Sequence, residues 1–158
     1  MIGNGGHAAQ LRSEGCQPWL DIIAIGDNRA RKKEAEAHKD AKWGTFKHGA
    51  EVAWSAKIGA GSQLLAGSIV GCNARIGEHC IINHRAVINH DAQLGDFVHV
   101  APGAQVLGGA TVGEGCLIGS NAVVLPSANV PAWVIVRACS VWPCDYEPNG
   151  PRKVKVAK

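Results

Sequence analysis

Between Ile81 and Leu107 the sequence carries three histidines, His84, His90 and His99. His90 is followed directly by Asp91. A carboxylate beside an imidazole orients the ring and raises its basicity, as a general base requires. Further along stands the pair Gly108-Gly109. Backbone without a Cβ lets a thin ligand pass and offers a bare N–H to a carbonyl oxygen. A base beneath an exposed N–H donor is the arrangement that acyl transfer needs.

These residues can be placed because the chain repeats every six residues. Val52, Ile58, Leu64, Val70, Ile76, Ile82, Ile88, Leu94, Val100, Val106, Val112, Ile118, Val124, Val130 and Val136 form one unbroken series. Four residues after each stands a small or compact side chain, among them Ala74, Cys80, Ala86, Ala92, Ala104, Ala110, Cys116 and Ala122. Such a hexapeptide repeat specifies a parallel β-helix, in which three hexapeptides make a triangular coil of about 18 residues. Positions one and five point inward, position six points outward, and positions three and four turn the corner. His84 and His90 both occupy position three, on successive corners of one coil. Gly108 and Gly109 fall one coil above His90 and Asp91.

The outward columns differ in polarity. Lys57, Arg75, Gln93, Thr111 and Asn129 form a polar column. Ile69, Val87, Gln105 and Val123 form a second, and Gln63, Ile81, His99, Leu117 and Ile135 a third, both largely apolar. A prism with two apolar faces suits a closed homotrimer in which each subunit turns both faces to its neighbours.

Bulk composition narrows the class. With 158 residues and a net charge of +3, the chain is expected to be a globular unit with no nucleic-acid partner. No apolar run approaches a membrane span and no signal-peptide core opens the sequence, so the expectation is a cytoplasmic protein with no membrane association. Of six cysteines, Cys80 and Cys116 occupy inward slots two coils apart. That is about 10 Å, beyond disulfide reach, so they read as buried thiols. Cys139 and Cys144, spaced C-x4-C, are a weak metal signal.

The first 50 residues read as a short α/β unit. His7 to Glu14 suits a helix ended by Gly15, and Trp19 to Ile25 a buried strand. Arg29 to Lys39 suits a second helix capped by Asp27 or Asn28, and Trp43 to Phe46 a further short strand. The expected organisation is an α/β unit over 1–50, the β-helix over 51–140 and a C-terminal tail over 141–158, whose end, Arg152 to Lys158, reads as mobile and basic. Asp27 and Asn28 end a strand, where open α/β sheets place ligands.

The run I-N-H-D-A-Q-L-G-D-F-V-H-V-A-P-G-A, Ile88 to Ala104, resembles the signature of the sialic acid O-acetyltransferase family, which includes bacterial N-acetyltransferases of UDP-4-amino sugars. The resemblance covers about His48 to Val136 and, more weakly, the first unit. It implies a mainly β protein: a left-handed parallel β-helix preceded by a Rossmann-like unit, here truncated, since only Met1 precedes Ile2. It implies transfer of acetyl from acetyl-CoA to an amine or hydroxyl of a sugar, at a site between subunits of a trimer, with no metal. By matching positions, His90 is the base and Asp91 its partner. His99 lies near the thioester or the acceptor, Gly108 with Gly109 at the thioester carbonyl, and Asn83 and His84 close to the sugar. The opening I-G-N-G-G-H resembles the family's glycine loop, so Gly5, Gly6 and His7, with Asp27 and Asn28, are the expected nucleotide-sugar contacts. Arg137 either reaches a CoA phosphate or is simply exposed.

Two rival readings share the repeat. A β-helix zinc carbonic anhydrase needs three histidines from two subunits. His79 and His84 have its H-x4-H spacing, but the third position, two coils below His79, is Trp43. A catalytically silent β-helix serving in assembly is the non-enzymatic rival, against which the His90, Asp91 and Gly108 group argues.

Overall fold

The computed structural model describes residues 1–3, 5–15 and 21–143. The hexapeptide pattern winds as expected into a parallel β-solenoid. Two-residue strands stack into three sheets of six, six and five strands. Register runs in steps of one coil, with Arg75 on Gln93, Gln93 on Thr111 and Thr111 on Asn129. The inward aliphatics Leu64, Ile82, Ile88, Val100, Val106, Ile118 and Val124 are buried completely, as are Ala86, Ala92, Ala104, Ala110 and Ala122 in the small slots. Each enclosed aliphatic contributes on the order of 1.5–3 kcal/mol relative to an exposed one. Small residues at position five keep three walls close enough for those aliphatics to meet.

Each corner turns at position four, which lies at positive φ from Gly61 to Cys139. Gly occupies several of these places, and Asn73, Asp91 and Asn121 others. Asn and Asp tolerate this left-handed conformation better than most side chains. Cys80 and Cys116 are buried free thiols as expected. The Cys80 thiol donates to the Gly95 carbonyl at 3.1 Å, and burial pushes its pKa up to about 12. Cys139 is exposed. Its C-x4-C partner and residues 144–158 of the expected tail lie outside the described residues, whereas Val141–Trp142, placed in that tail by the sequence, are a strand of the solenoid because they pair with Val123–Val124.

The amino-terminal unit contains helices α1 (Gly6–Ser13) and α2 (Asn28–Ala37). Asp27 caps α2, its Oδ1 accepting from the Ala30 N–H at 2.7 Å. Parallel bridges join Ile2 to Ile23 and Asp21 to Trp43. The unit therefore has the order of a small α/β layer, with single bridges in place of strands. Ile22, Ile23 and Ala24 are buried; residues 19 and 20 of the expected strand lie outside the described set. The stretch from Trp43 to Phe46 does not act as one strand. Phe46–Lys47 instead pair with Gln63–Leu64, so the solenoid's winding begins there and continues to Val141–Trp142.

The unit packs on one face of the prism, which changes the expected use of that face. The Gln63 amide donates to the Ile23 carbonyl and accepts from His7. Arg31 on α2 reaches the carbonyls of His79 and Phe97, and Asn28 those of Gly115 and Cys116. Ile81 beneath is fully buried. The column Gln63–Ile81–His99–Leu117–Ile135 is thus covered along its lower part by the chain's own first unit and is not free for a neighbour. Only its upper end stays open, where Ile135 is 68% exposed. The Ile69, Val87, Val123 face is uncovered, and Ile69 is exposed.

Candidate active site

The first group of site residues sits on one vertex of the prism. His90 and Asp91 lie between the strand Val87–Ile88 of the open apolar face and the strand Gln93–Leu94 of the polar face. His90 Nδ1 meets Asp91 Oδ2 at 2.9 Å. The positive φ of Asp91 belongs to the corner turn that brings its carboxylate beside the preceding ring. Asn73, one coil below, donates from Nδ2 to Asp91 Oδ1 at 3.2 Å. The bonds from His90 and from Asn73 hold the Asp91 carboxyl below its ordinary pKa. With Nδ1–H directed at a carboxylate, Nε2 is left as the basic nitrogen.

Gly108 stands directly above this ring. A Cβ at position 108 would lie 2.7 Å from both Cε1 and Nε2 of His90. Only glycine leaves that space to the imidazole. The Gly108 N–H makes no hydrogen bond among the described residues, whereas the Gly109 N–H is held by the His90 carbonyl at 3.0 Å. Position three of this corner thus offers a free donor beside Nε2.

The second group lies on the docked face. His99 is largely enclosed, and its Nε2 accepts from the Asn83 amide at 3.1 Å. Burial, with the charge of Arg31 and then that of His7, lowers its pKa to about 4, against the pull of a backbone bond with Gly26. Around neutral pH His99 is therefore an uncharged ring facing the junction of the two units. His7 is held by Gln63 at 2.7 Å, and its pKa is lowered chiefly by burial. Gly5 and Gly6 are exposed at the start of α1, and a Cβ at either would meet nothing within 4 Å. Asp27 is exposed. Together with Gly26, Arg29, His99, Leu117, Trp133 and Ile135 it borders a cleft of about 170 Å³.

Two expected sugar contacts are engaged otherwise. Asn28 is buried, with both amide hydrogens on the Gly115 and Cys116 carbonyls and its oxygen accepting from Arg31. Its side chain anchors α2, and the residue also borders the Asp27 cleft. His84 Nε2 pairs with Glu14 Oε1 at 2.8 Å and also meets Gln10, fastening α1 to its corner. Burial raises the Glu14 pKa, but hydrogen bonds from Gln10 and His84 outweigh it and hold that carboxyl below its ordinary value. His79 is 3% exposed, stacked on Phe97 and edge-on to Trp43, as a structural histidine would be. Among the described residues no three His, Cys, Asp or Glu are grouped to hold a metal ion.

Arg31, Gln63 and Asn73 do not stand out in the sequence as site residues. Arg31 is fully buried, and among the described residues it makes five hydrogen bonds and has no carboxylate partner; desolvation lowers its pKa to about 10. In sequence it belongs to a Lys- and Arg-rich helix that looks solvated. Gln63 could have been singled out, as a polar residue starting an otherwise apolar column. Asn73 stacks 18 residues before Asp91, which the repeat alone reveals.

The two groups do not meet within one chain. His90 occupies the vertex between the apolar and polar faces. His99, Asn83 and the amino-terminal unit belong to the third face, which is the side opposite that vertex.

The family model described as bacterial transferase hexapeptide (six repeats) matches residues 55–90 and 91–126. No curated protein sequence matches the chain. Among solved structures, the acetyltransferase domain of PglB from Neisseria gonorrhoeae is 31% identical, with a TM-score of 0.77 over 87% of this chain and 69% of that one. The same domain was also solved in complex with acetyl coenzyme A, at 28% identity and a TM-score of 0.74, covering 89% of this chain and 76% of that one. A histidine-to-asparagine mutant of perosamine N-acetyltransferase from Caulobacter crescentus, in complex with CoA and GDP-perosamine, is 33% identical, with a TM-score of 0.75 over 89% of this chain and 68% of that one. With the unbroken hexapeptide winding, these similarities establish that the chain belongs to the left-handed β-helix, hexapeptide-repeat acetyltransferases.

Proposed function

We propose that the protein transfers acetyl from acetyl-CoA to the amino group of a nucleotide-linked sugar, with His90 as general base in a site shared between subunits of a homotrimer. The observation that carries this reading is the fit of His90 under Gly108. Asp91 holds Nδ1, and Nε2 occupies the space a Cβ would fill, next to a free backbone N–H. His90 Nε2 takes the proton of the acceptor nitrogen as that nitrogen bonds to the acetyl carbon. The Gly108 N–H stabilises negative charge on the thioester oxygen. The carbon–sulfur bond then breaks, and His90 returns the proton to the departing thiolate. The backbone at Gly108 gives a thin pantetheine arm room to pass.

The solved relatives hold acetyl-CoA, or CoA with GDP-perosamine, which supports the same pair of substrates here. The neutral His99 and the Asp27 cleft on the docked face are suited to the acceptor. A neighbouring subunit can bring that face to the His90 vertex, which one chain cannot do for itself. The reading is tested by thiol release from acetyl-CoA with nucleotide-linked 4-amino sugars. Turnover with at least one such acceptor is expected. A trimer that binds CoA and acetylates no amino or hydroxy sugar would make the silent assembly module the better account.

A further inference from the structure

We infer that Glu14, gripped between His48 and His84, is a positioning residue for the acceptor: it fixes the rotation of α1 about its own axis and so aims the glycine turn and His7 at the other end of that helix. The inference rests on the acetyl-transfer reading above and deepens it, tracing the acceptor's affinity to a contact that touches neither substrate.

His48 and His84 occupy position three of the same corner, two coils apart, with Ala66 between them. Two coils span about 10 Å, and Ala66 has no side chain beyond Cβ to fill the gap between the two rings. The Glu14 carboxylate enters there from α1. Its Oε1 pairs with His84 Nε2 at 2.8 Å, and its Oε2 stands 3.4 Å from His48 Nδ1. Only 14% of the Glu14 side chain is exposed. The His48 ring is itself stacked on Phe46. Gln10, one turn earlier on α1, donates to Glu14 Oε1 at 3.1 Å and also meets His84. One turn earlier again, His7 is held by Gln63. His7, Gln10 and Glu14 follow the i, i+3, i+7 spacing of one helix face. Each of the three meets a side chain of the solenoid.

That polar face is what sets the helix. With eight residues, α1 is too short to be stable alone. Its N-cap, Gly5, makes no side-chain cap bond, and its buried residues are Ala8 and Leu11. Two apolar contacts in one line leave a helix free to roll about that line. The bonds of His7, Gln10 and Glu14 stop the roll, and Glu14 holds the end furthest from the glycine turn. At 1.5 Å per residue Glu14 lies about 13 Å from Gly5, so it cannot reach a ligand held at Gly5 and Gly6. It acts on such a ligand only through the helix. The start of α1 faces the junction assigned to the acceptor, since His7 is close enough to His99 for its charge to act there.

The test is steady-state kinetics of the full chain, with acetyl-CoA and an amino-sugar acceptor that the wild type uses. Misplacing a bound group by about 1 Å costs up to about a hundredfold. Glu14→Ala should therefore raise the acceptor KM by about tenfold to a hundredfold, and His48→Ala should raise it by less. Both kcat and the KM for acetyl-CoA should stay within about threefold, the pattern of lost binding and not of lost chemistry. Glu14→Ala combined with His84→Ala should be no worse than Glu14→Ala alone, because partners in one contact do not add. A first unit that merely unfolds in part would lower kcat, through fewer active molecules, and leave the acceptor KM in place. That result overturns the inference, as does an acceptor KM unchanged in Glu14→Ala. A double variant whose effect is the product of the two single ones also overturns it, by returning His84 to direct contact with the sugar. These three results leave the transferase reading standing. A wild type that turns over no amino or hydroxy sugar removes that reading, and this inference with it.

Discussion

At the scale of single residues, the proposed chemistry rests on one imidazole, His90, whose Nδ1 is paired with Asp91. Loss of a general base typically costs about two to four orders of magnitude in rate. His90→Ala should lower kcat by that much while CoA affinity changes little, since the ring meets a proton in flight and not the body of the cosubstrate. Asp91→Asn should cost less, because the imidazole remains and only its orientation and basicity suffer. Turnover of His90→Ala within a few-fold of wild type, on an acceptor that wild type uses well, would shift the role to another group. Gly108→Ala should also be damaging. Its new carbon would stand 2.7 Å from the ring, so the imidazole must swing away, and kcat should fall even where the fold melts normally.

His99 makes a separate prediction at this scale. Its pKa is about 4 in the folded chain and near 6.5 when unfolded. Above pH 6.5 both states are neutral and nothing is lost. Between pH 6.5 and 4 the unfolded chain takes up a proton that the folded chain refuses, so stability falls as pH falls. His7 and His79 are shifted in the same direction, each mainly by burial. The urea midpoint should therefore decline across that window, and His99→Gln should flatten part of the decline. A slope unchanged in the variant would show that His99 titrates freely.

At the scale of elements, two helices are fastened to a scaffold that does not need them to wind. Arg31 joins α2 to two coils through the His79 and Phe97 carbonyls, and holds the Ile25 and Gly26 carbonyls as well. Removing its side chain leaves buried carbonyls without a donor, at about 1–3 kcal/mol for each one left unsatisfied. Arg31→Ala should detach the first unit without unwinding the solenoid. Limited proteolysis should then cut before Phe46 and leave a resistant core, whereas a single cooperative loss of all structure would mean that the two units stabilise one another throughout. The unit also dictates which face stays open, because Ile81 lies buried beneath it while Ile69 remains exposed.

At the scale of the whole molecule, the separation of His90 from His99 requires a second copy if both act in one site. Sedimentation should give a trimer. Val87→Asp, on the face that remains uncovered, should yield monomers without activity although His90 and Asp91 are untouched. Subunits carrying His90→Ala, mixed and reassembled with subunits altered at Asp27 and His99, should regain part of the activity, because some interfaces then receive one intact half from each. Mixtures no more active than their parents would place the whole site within one chain.

The inward and outward sides of every coil were legible in the sequence, since a period of six leaves each residue only one place to point. The stacking of Gly108 over His90 and of Asn73 under Asp91 follows from the same period, because residues 18 apart share a corner. Asp91 was legible as the partner of His90 because adjacency in the chain is enough to bring them together. The period says nothing of what covers a face. That the column from Gln63 to Ile135 would be covered by the chain's own first unit depended on Arg31, Asn28 and Gln63, whose partners lie tens of residues away and follow no repeat. For the same reason the anchoring bonds of Asn28 and His84, which the sequence offered as sugar contacts, came only from tertiary packing. Local periodicity determined the scaffold and the corner chemistry, while long-range hydrogen bonding, which carries no period, decided which surfaces that scaffold leaves open.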